Sequence, residues 1–223
     1  MTEVNRPGVI YYIDGNTQDK LETCDLLKGK IIKGLSKSHS DELLAFDDEN
    51  IYNIATGKVI DQNSYAIVSS NGKNVTSAIT QQGELYTWGE GLKGELGLGI
   101  AQKHVTQPTL VTINSRRLVR VSTGPTHTAA CDNFGNVYTF GQNNHRQLGL
   151  YNKTKLQLEN KGGIIQALSY IPRLVPLSIK HPMKSVACGS SFTIFLTKRK
   201  FILRRLYYTI IYTYVLLLLY MCM

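Results

Sequence analysis

Apolar and polar positions in this chain alternate with a period of two, in short runs broken by turns. Tyr65–Ser69, Val75–Ile79, Leu118–Ser122, Thr126–Cys131, Asn136–Phe140, Met183–Cys188 and Phe192–Thr197 each predict a β-strand, being rich in β-branched and aromatic residues. Asn71-Gly72, Gly124-Pro125 and Gly189-Ser190-Ser191 predict turns between them. Glycine suits such turns because it reaches positive φ without a Cβ clash. Nearer the N-terminus, Val9–Ile13 (VIYYI) predicts a strand and Asp14-Gly15-Asn16 a turn.

The strand pattern repeats. Residues 78–89 (AITQQGELYTWG) recur 52 residues later as residues 130–141 (ACDNFGNVYTFG). A leucine- and glycine-rich tail follows each copy, at residues 94–99 (GELGLG) and 147–150 (QLGL). Val75, His127 and Phe192 hold equivalent places, 52 and 65 residues apart. The additional residues fall between Tyr151 and Ile171, a polar stretch followed by a short apolar run. A fainter copy runs from Ile31 through Leu43–Phe46, a polar turn Asp47–Asn50 and Ile51-Tyr52, without the turn glycine or the closing glycine. Self-similarity at a near-constant period marks a repeat architecture, because each unit buries its apolar faces against the next. Four segments follow: 1–30 N-terminal, 31–64 a degenerate unit, 65–197 clear repeats with the last one incomplete, and 198–223 a tail.

Composition supports an all-β reading: 43% apolar, 18% charged, 19 glycines in 223 residues. The net charge of +9 is concentrated in the tail, where Lys198, Arg199, Lys200, Arg204 and Arg205 stand without an acid. The remainder is weakly basic, with Arg116, Arg117 and Arg120 its modest cluster. Cys24, Cys131, Cys188 and Cys222 show no paired spacing, so neither a disulfide framework nor a metal site is expected. The N-terminus lacks a secretory signal, and a cytoplasmic or nuclear location is the expectation.

The second unit, residues 119–150, resembles a repeat of the regulator of chromosome condensation family. That pattern runs from a Gly and a His through an apolar strand, Asp-x-x-Gly, Val-Tyr-x-Trp-Gly and a Gly-x-Leu-Gly close. Gly124, His127, Asp132, Gly135, Val137, Tyr138, Gly141, Leu148 and Gly149 match it. The first unit matches at Gly83, Leu85, Tyr86, Trp88, Gly89, Gly94, Leu96 and Gly97, with Val75 in the His place. The third has Phe192 there, and Arg146 stands where the first unit has Gly94. The resemblance implies a partial β-propeller of four-stranded antiparallel blades, about two complete and one or two incomplete, from a seven-bladed parent; a ring closes with roughly 4–8 blades.

Candidate chemistry is sparse. His39 and His127 are expected to be structural, as are Trp88 and Phe140, which recur at one repeat position and suit packing between blades. Gly89–Gly94 contains GxGxxG but precedes no helical pattern, which argues against a dinucleotide site. Asp47-Asp48-Glu49 reads as a solvated turn. No catalytic, cofactor-binding or metal-binding residue is assigned, no cofactor is expected, and the chain is read as non-enzymatic. The expected function is a protein-interaction scaffold. Similar proteins include exchange factors for the small GTPase Ran and propellers attached to kinases or ubiquitin ligases. A chromatin- or nucleic-acid-associated module is the alternative.

The tail carries a third possibility. Residues 206–223 hold no charge over 18 residues after a basic flank. At about 1.5 Å per residue a helix of that length just spans a bilayer core, as a tail anchor would. The repeat pattern also breaks at Thr197, in mid-unit, which equally suits a tail foreign to the propeller, or a buried helix or strand.

Overall fold

The computed structural model describes residues 11–13, 21–23, 27, 29–38, 42–70, 74–114, 117–150, 168–176, 179 and 181–197. The turns at Asp14–Asn16 and Asn71-Gly72, His39, Arg116, residues 151–167 of the long insert and the tail 198–223 lie outside them. A short hairpin, β1 (Tyr11–Ile13) and β2 (Leu21–Thr23), comes first. Three four-stranded antiparallel sheets follow, each pairing its strands in sequence order. Sheet I holds β3 (Gly34–Lys37), β4 (Leu43–Phe46), β5 (Ile51–Asn53) and β6 (Val59–Asp61). Sheet II holds β7 (Tyr65–Ser70), β8 (Val75–Thr80), β9 (Leu85–Glu90) and β10 (His104–Leu110). Sheet III holds β11 (Leu118–Thr123), β12 (His127–Asp132), β13 (Val137–Gln142) and β14 (Leu168–Leu174). Sheet IV has two strands among the described residues, β15 (Met183–Cys188) and β16 (Thr193–Thr197).

Sheet I is a complete four-stranded blade, one more than the sequence pattern supports. Its turn glycine is dispensable because its central hairpin is shorter. Asp47 N–H donates directly to Asn50 O at 3.1 Å, whereas sheets II and III close a longer turn, Thr80 to Glu84 and Asp132 to Asn136. Those longer turns place Gly83 and Gly135 at φ of +91° and +94°, which a residue with a Cβ resists. The fourth strands β10 and β14 escape the sequence reading because they are outermost and mostly exposed, so they carry no clean alternation. Each tolerates a proline, Pro108 and Pro172, as an edge strand does.

Successive sheets meet through their first two strands: β3 against β7, β7 and β8 against β11, and β11 and β12 against β15. The first strands therefore gather on the inside and the fourth fan outward, which makes the molecule an arc of a β-propeller. One apolar cluster fills each seam. Between I and II lie Leu44, Phe46, Ile51, Tyr65, Ala78 and Trp88. Ile79, Leu85, Val121, Ala130 and Phe140 lie between II and III, and Ala129, Cys131, Val137, Met183 and Phe195 between III and IV. Leu27 and Ile32 cover the other face of sheet I, against Ala45, Tyr52 and Ile54.

Trp88 and Phe140 are 2% and 0% exposed, so both belong to seams and neither is available to a ligand. Truncation of Trp88 to Ala is expected to cost about 3–5 kcal/mol in chemical denaturation, the range for a large buried aromatic. A melting temperature unchanged by this substitution would refute its place in the seam.

Candidate protein-interaction faces

In each meander the turns joining strands one and two lie on the same side as the loops joining strands three and four. The turns joining strands two and three lie on the opposite side.

On the side of the two-to-three turns, Asp47 and Asp132 are consumed by the turns themselves, while Asp48 pairs with Lys33 and accepts Gln81 Nε2–H at 2.7 Å. Asp47 Oδ1 accepts the Glu49 and Asn50 N–H groups, each at 2.8 Å, and Oδ2 accepts the Tyr52 hydroxyl at 2.7 Å. Burial pushes the Asp47 carboxyl up, but those hydrogen bonds outweigh it and hold the pKa below the ordinary value. Asp132 works the same way on Phe134 and Asn136 N–H, and Thr80 Oγ1 accepts Glu84 N–H in sheet II. Among the described residues no group of His, Cys, Asp or Glu is arranged to hold a metal ion. Of the basic cluster, Arg117 Nη2 donates to Gln81 O at 2.5 Å, and Arg120 Nη1 to Val119 O at 2.7 Å.

The opposite side carries the Leu-Gly loops, and the loops clamp the seams. Thr87 and Thr139 donate to Leu96 O and Leu148 O, each at 2.7 Å, fixing each loop to its own third strand. The next sheet then reaches back: Thr128 Oγ1 donates to Glu95 O at 2.9 Å, and Thr193 Oγ1 to Gln147 O at 2.7 Å. The GxGxxG stretch belongs to this device. A Cβ at Gly94 would lie 2.6 Å from Ser169 O of β14, so the loop sits on the neighbouring sheet with no room for a phosphate. The chain continues from it through turns into β10.

Sequence reasoning missed these clamps, although the 52-residue spacing held the signal. Glu95 and Gln147 are isosteric at equivalent positions, both 2% exposed, and each side-chain oxygen accepts a loop N–H, from Lys93 at 2.7 Å and His145 at 2.9 Å. Burial raises the Glu95 pKa. Arg146 takes φ +60° where Gly94 takes +89°, a left-handed conformation that costs a residue with a Cβ about 1–2 kcal/mol.

His127 lies in a seam. It is fully buried, and its Nε2 lies 2.8 Å from Thr193 Oγ1 across the III–IV seam. Thr193 spends its hydroxyl proton on Gln147 O, so Nε2 carries the imidazole proton and donates. Nδ1 is left as a buried lone pair without a hydrogen-bond partner. Burial depresses the pKa to about 4, against a weaker upward pull from the Phe192 backbone.

What stays exposed is on the loops. Leu92 and Ile100, on the loop after β9, are 64% and 68% exposed, with Lys93 and Lys103 exposed beside them. Asn144 and His145 are exposed on the loop after β13, and Pro125, Ser190 and Ser191 are exposed on the turns of the same side.

Two buried ionisable groups give opposite pH signatures. With its folded pKa below the unfolded 6.5, His127 binds fewer protons in the folded state, so stability falls as pH drops from about 6.5 towards 4. The loss is about 3 kcal/mol at its fullest. Urea denaturation from pH 7 to pH 4 should show this slope, and His127→Val, the residue sheet II uses, should flatten it. Glu95 has a raised folded pKa, so it withdraws stability as pH rises through that value. Glu95→Gln, the residue sheet III uses, is expected to raise the thermal midpoint at pH 7 and to lose that advantage in acid; a pH-independent difference would contradict the buried-carboxylate account.

Comparison with known proteins agrees with this geometry. The chain matches the model of the regulator of chromosome condensation (RCC1) repeat at residues 82–131 and 135–196, just over half its length. It is 33% identical over 124 residues to the E3 ubiquitin-protein ligase HERC2 of Homo sapiens, covering 55% of this chain and 2% of that protein. To the Protein RCC2 homolog of Danio rerio it is 30% identical over 146 residues, covering 60% of this chain and 29% of the relative. The chain thus spans less than a third of either relative. The crystal structure of Kap60 bound to yeast RCC1 (Prp20) matches with a TM-score of 0.62 at 15% identity, over 81% of this chain and 44% of that one. That of human WBSCR16 matches with a TM-score of 0.60 at 16% identity, over 81% and 48%. An arc of four-stranded blades, its Leu-Gly loops clamping each seam and its repeat matched by that family model, makes this chain a member of the regulator of chromosome condensation (RCC1) repeat family.

Proposed function

We propose that the chain is a non-enzymatic protein-interaction scaffold that grips a protein partner through the loops flanking its Leu-Gly clamps. The observation that carries this reading is the division of labour among its side chains. His127, Asp47, Asp132, Glu95, Gln147 and the repeated threonines all serve turns and seams. Leu92 and Ile100 instead project from the blade II loop, with Lys93 and Lys103 around them. Large apolar side chains rimmed by polar ones suit a protein partner better than a small molecule.

A small GTPase is the partner class to test first. The similar protein Prp20p of Saccharomyces cerevisiae has a crystal structure reported with its binding properties to Gsp1p and histones. Exchange activity would act by prising nucleotide from the GTPase, the propeller supplying a surface and no catalytic side chain. The similarity to HERC2 supports a second form of the same reading, a propeller within a larger ligase-linked assembly. A chromatin-associated role would draw on the cations of the loop side, Lys93, Lys103 and Arg146. The location proposed is cytoplasm or nucleus. No helix among the described residues is long and apolar enough to cross a membrane, and residues 206–223 lie outside them.

Nucleotide release from a panel of purified small GTPases tests the exchange reading, with acceleration expected for one of them. The double variant Leu92→Ser/Ile100→Ser should abolish that acceleration while the thermal midpoint stays within about 1 °C, since exposed substitutions change stability little. No acceleration for any GTPase would remove the exchange reading, and retained partner capture by the double variant would remove this loop as the gripping surface.

A further inference from the structure

The III–IV seam differs in chemistry from the II–III seam. Both cysteines among the described residues are free thiols, and both lie in it. Cys131 of β12 takes the place of Ile79 in β8. Cys188 of β15 takes the place of Thr123 in β11, Cys188 standing opposite Thr193 and Thr123 opposite Thr128. Each thiol reaches the backbone of the other sheet: Cys131 Sγ donates to Met183 O at 3.5 Å, and Cys188 Sγ to Ser122 O at 3.1 Å. In the II–III seam Thr123 Oγ1 meets Ser77 Oγ at 2.5 Å, and Thr123 N–H donates to Ser69 Oγ at 3.2 Å. The III–IV seam keeps the second bond, Cys188 N–H to Ser122 Oγ at 3.0 Å. It lacks the first, because Ala129 stands where sheet II has Ser77, and a weak thiol donor replaces the hydroxyl.

The closed seam leaves no room beside Cys188. A Cβ built on Gly124, in the turn after β11, would lie 2.6 Å from Gly189 O, 3.1 Å from Cys188 Cβ and 3.5 Å from His127 Cε1. An interior packed this closely does not absorb an added group without moving. The residue is half-buried but its thiol is turned inward, and burial pushes the thiol pKa up to about 12 against downward pulls from Ser122, Ala129, Thr193 and Gly124. The closed seam therefore keeps the thiol protonated and unreactive. Thr193 latches the seam: its hydroxyl accepts from His127 Nε2 at 2.8 Å and donates to Gln147 O at 2.7 Å. The orphaned Nδ1 of His127 lies in the same seam and costs it stability.

We propose that this seam is a thiol-gated joint: when sheet IV swings away from sheet III, Cys188 exchanges with a low-molecular-weight disulfide of the glutathione type, and the mixed disulfide keeps the seam from closing. The Cys188 thiol gives its proton to water, and the thiolate attacks one sulfur of the reagent. A protein–glutathione S–S bond forms, the reagent's own S–S bond breaks, and one glutathione leaves as a thiolate. The protein thiol is oxidised and one glutathione is reduced, so the exchange needs no other co-reactant. Free thiol reverses it and lets the seam close. The adduct does not fit the closed seam, where even a methyl group on Gly124 would clash. Opening also releases Gln147 O from Thr193, so the loop after β13 loses its hold on sheet IV. The joint does not depend on the loop surface proposed above.

The test uses the full chain with excess glutathione disulfide at about pH 8, near the ordinary thiol pKa. Each cysteine is followed separately by peptide mass spectrometry. Cys188 is expected to react without denaturant, and hydrogen exchange of the adduct should show β15 and β16 losing protection while β8 and β9 keep theirs. Dithiothreitol should restore that protection. Thr193→Val, which removes the latch, should speed the modification of Cys188 about tenfold, as the loss of two buried hydrogen bonds implies. Cys188→Thr, the residue sheet III uses there, should keep β15 and β16 protected through the same treatment, whichever other cysteine reacts. Failure of Cys188 to react without denaturant would overturn the inference, as would an adduct whose β15 and β16 stay fully protected. Loss of β8 protection in step with β16 would do the same, because the whole arc would then be opening. So would loss of protection in Cys188→Thr, or a modification rate unchanged by Thr193→Val.

Discussion

Everything in this fold depends on sheets being stacked face to face around an axis. A four-stranded antiparallel sheet of this size has two apolar faces and cannot bury either by itself. The seams bury them, with Leu27 and Ile32 covering the outer face of sheet I, so the seams and not the sheets are the units of stability. Leu44 and Trp88 in the first seam, Val121 and Phe140 in the second, and Met183 and Phe195 in the third are the apolar content of those units. The Leu-Gly loops turn this non-directional attraction into a fixed geometry. A threonine on the sheet's own third strand holds each loop, and a threonine from the next sheet holds it again. Hydrogen bonds buried at 2.7–2.9 Å are costly to leave unmade, so each seam closes in one arrangement.

The same economy explains why the chain shows so little chemistry. A repeat that recurs at 52 residues places like side chains in like environments, and those environments are seams and turns. His127 is the clearest instance. Its ring nitrogen spans two sheets, its proton goes to Thr193, and burial keeps it neutral far below the usual imidazole range. The repeats diverge at the loop after β9, with Leu92 and Ile100 exposed, and at Arg146, held at positive φ in place of a glycine.

Most of the architecture was legible in the sequence because burial on one face leaves a period-two trace. That trace identified β7, β8, β11, β12, β13, β15 and β16, and the family pattern followed from them. It failed at β6, β10 and β14 for a physical reason: outer strands face solvent on much of their surface and owe little to alternation. It undervalued sheet I because a shorter hairpin, closed by Asp47 and Asn50, makes the expected glycine unnecessary. The clamps were invisible for a different reason. A threonine or a glutamate gives no sign in sequence that its partner lies 33 or 46 residues away, unless the repeats are laid over one another.

The central claim is that seams, each made with the following sheet, hold this arc. Native-state hydrogen exchange tests it most directly. The account predicts that the amides of β8 and β12 exchange slowest and through one shared opening, and that those of β10 and β14 exchange faster. Protection of β10 and β14 equal to that of β8 and β12, or sheets I, II and III opening with separate free energies, would contradict it.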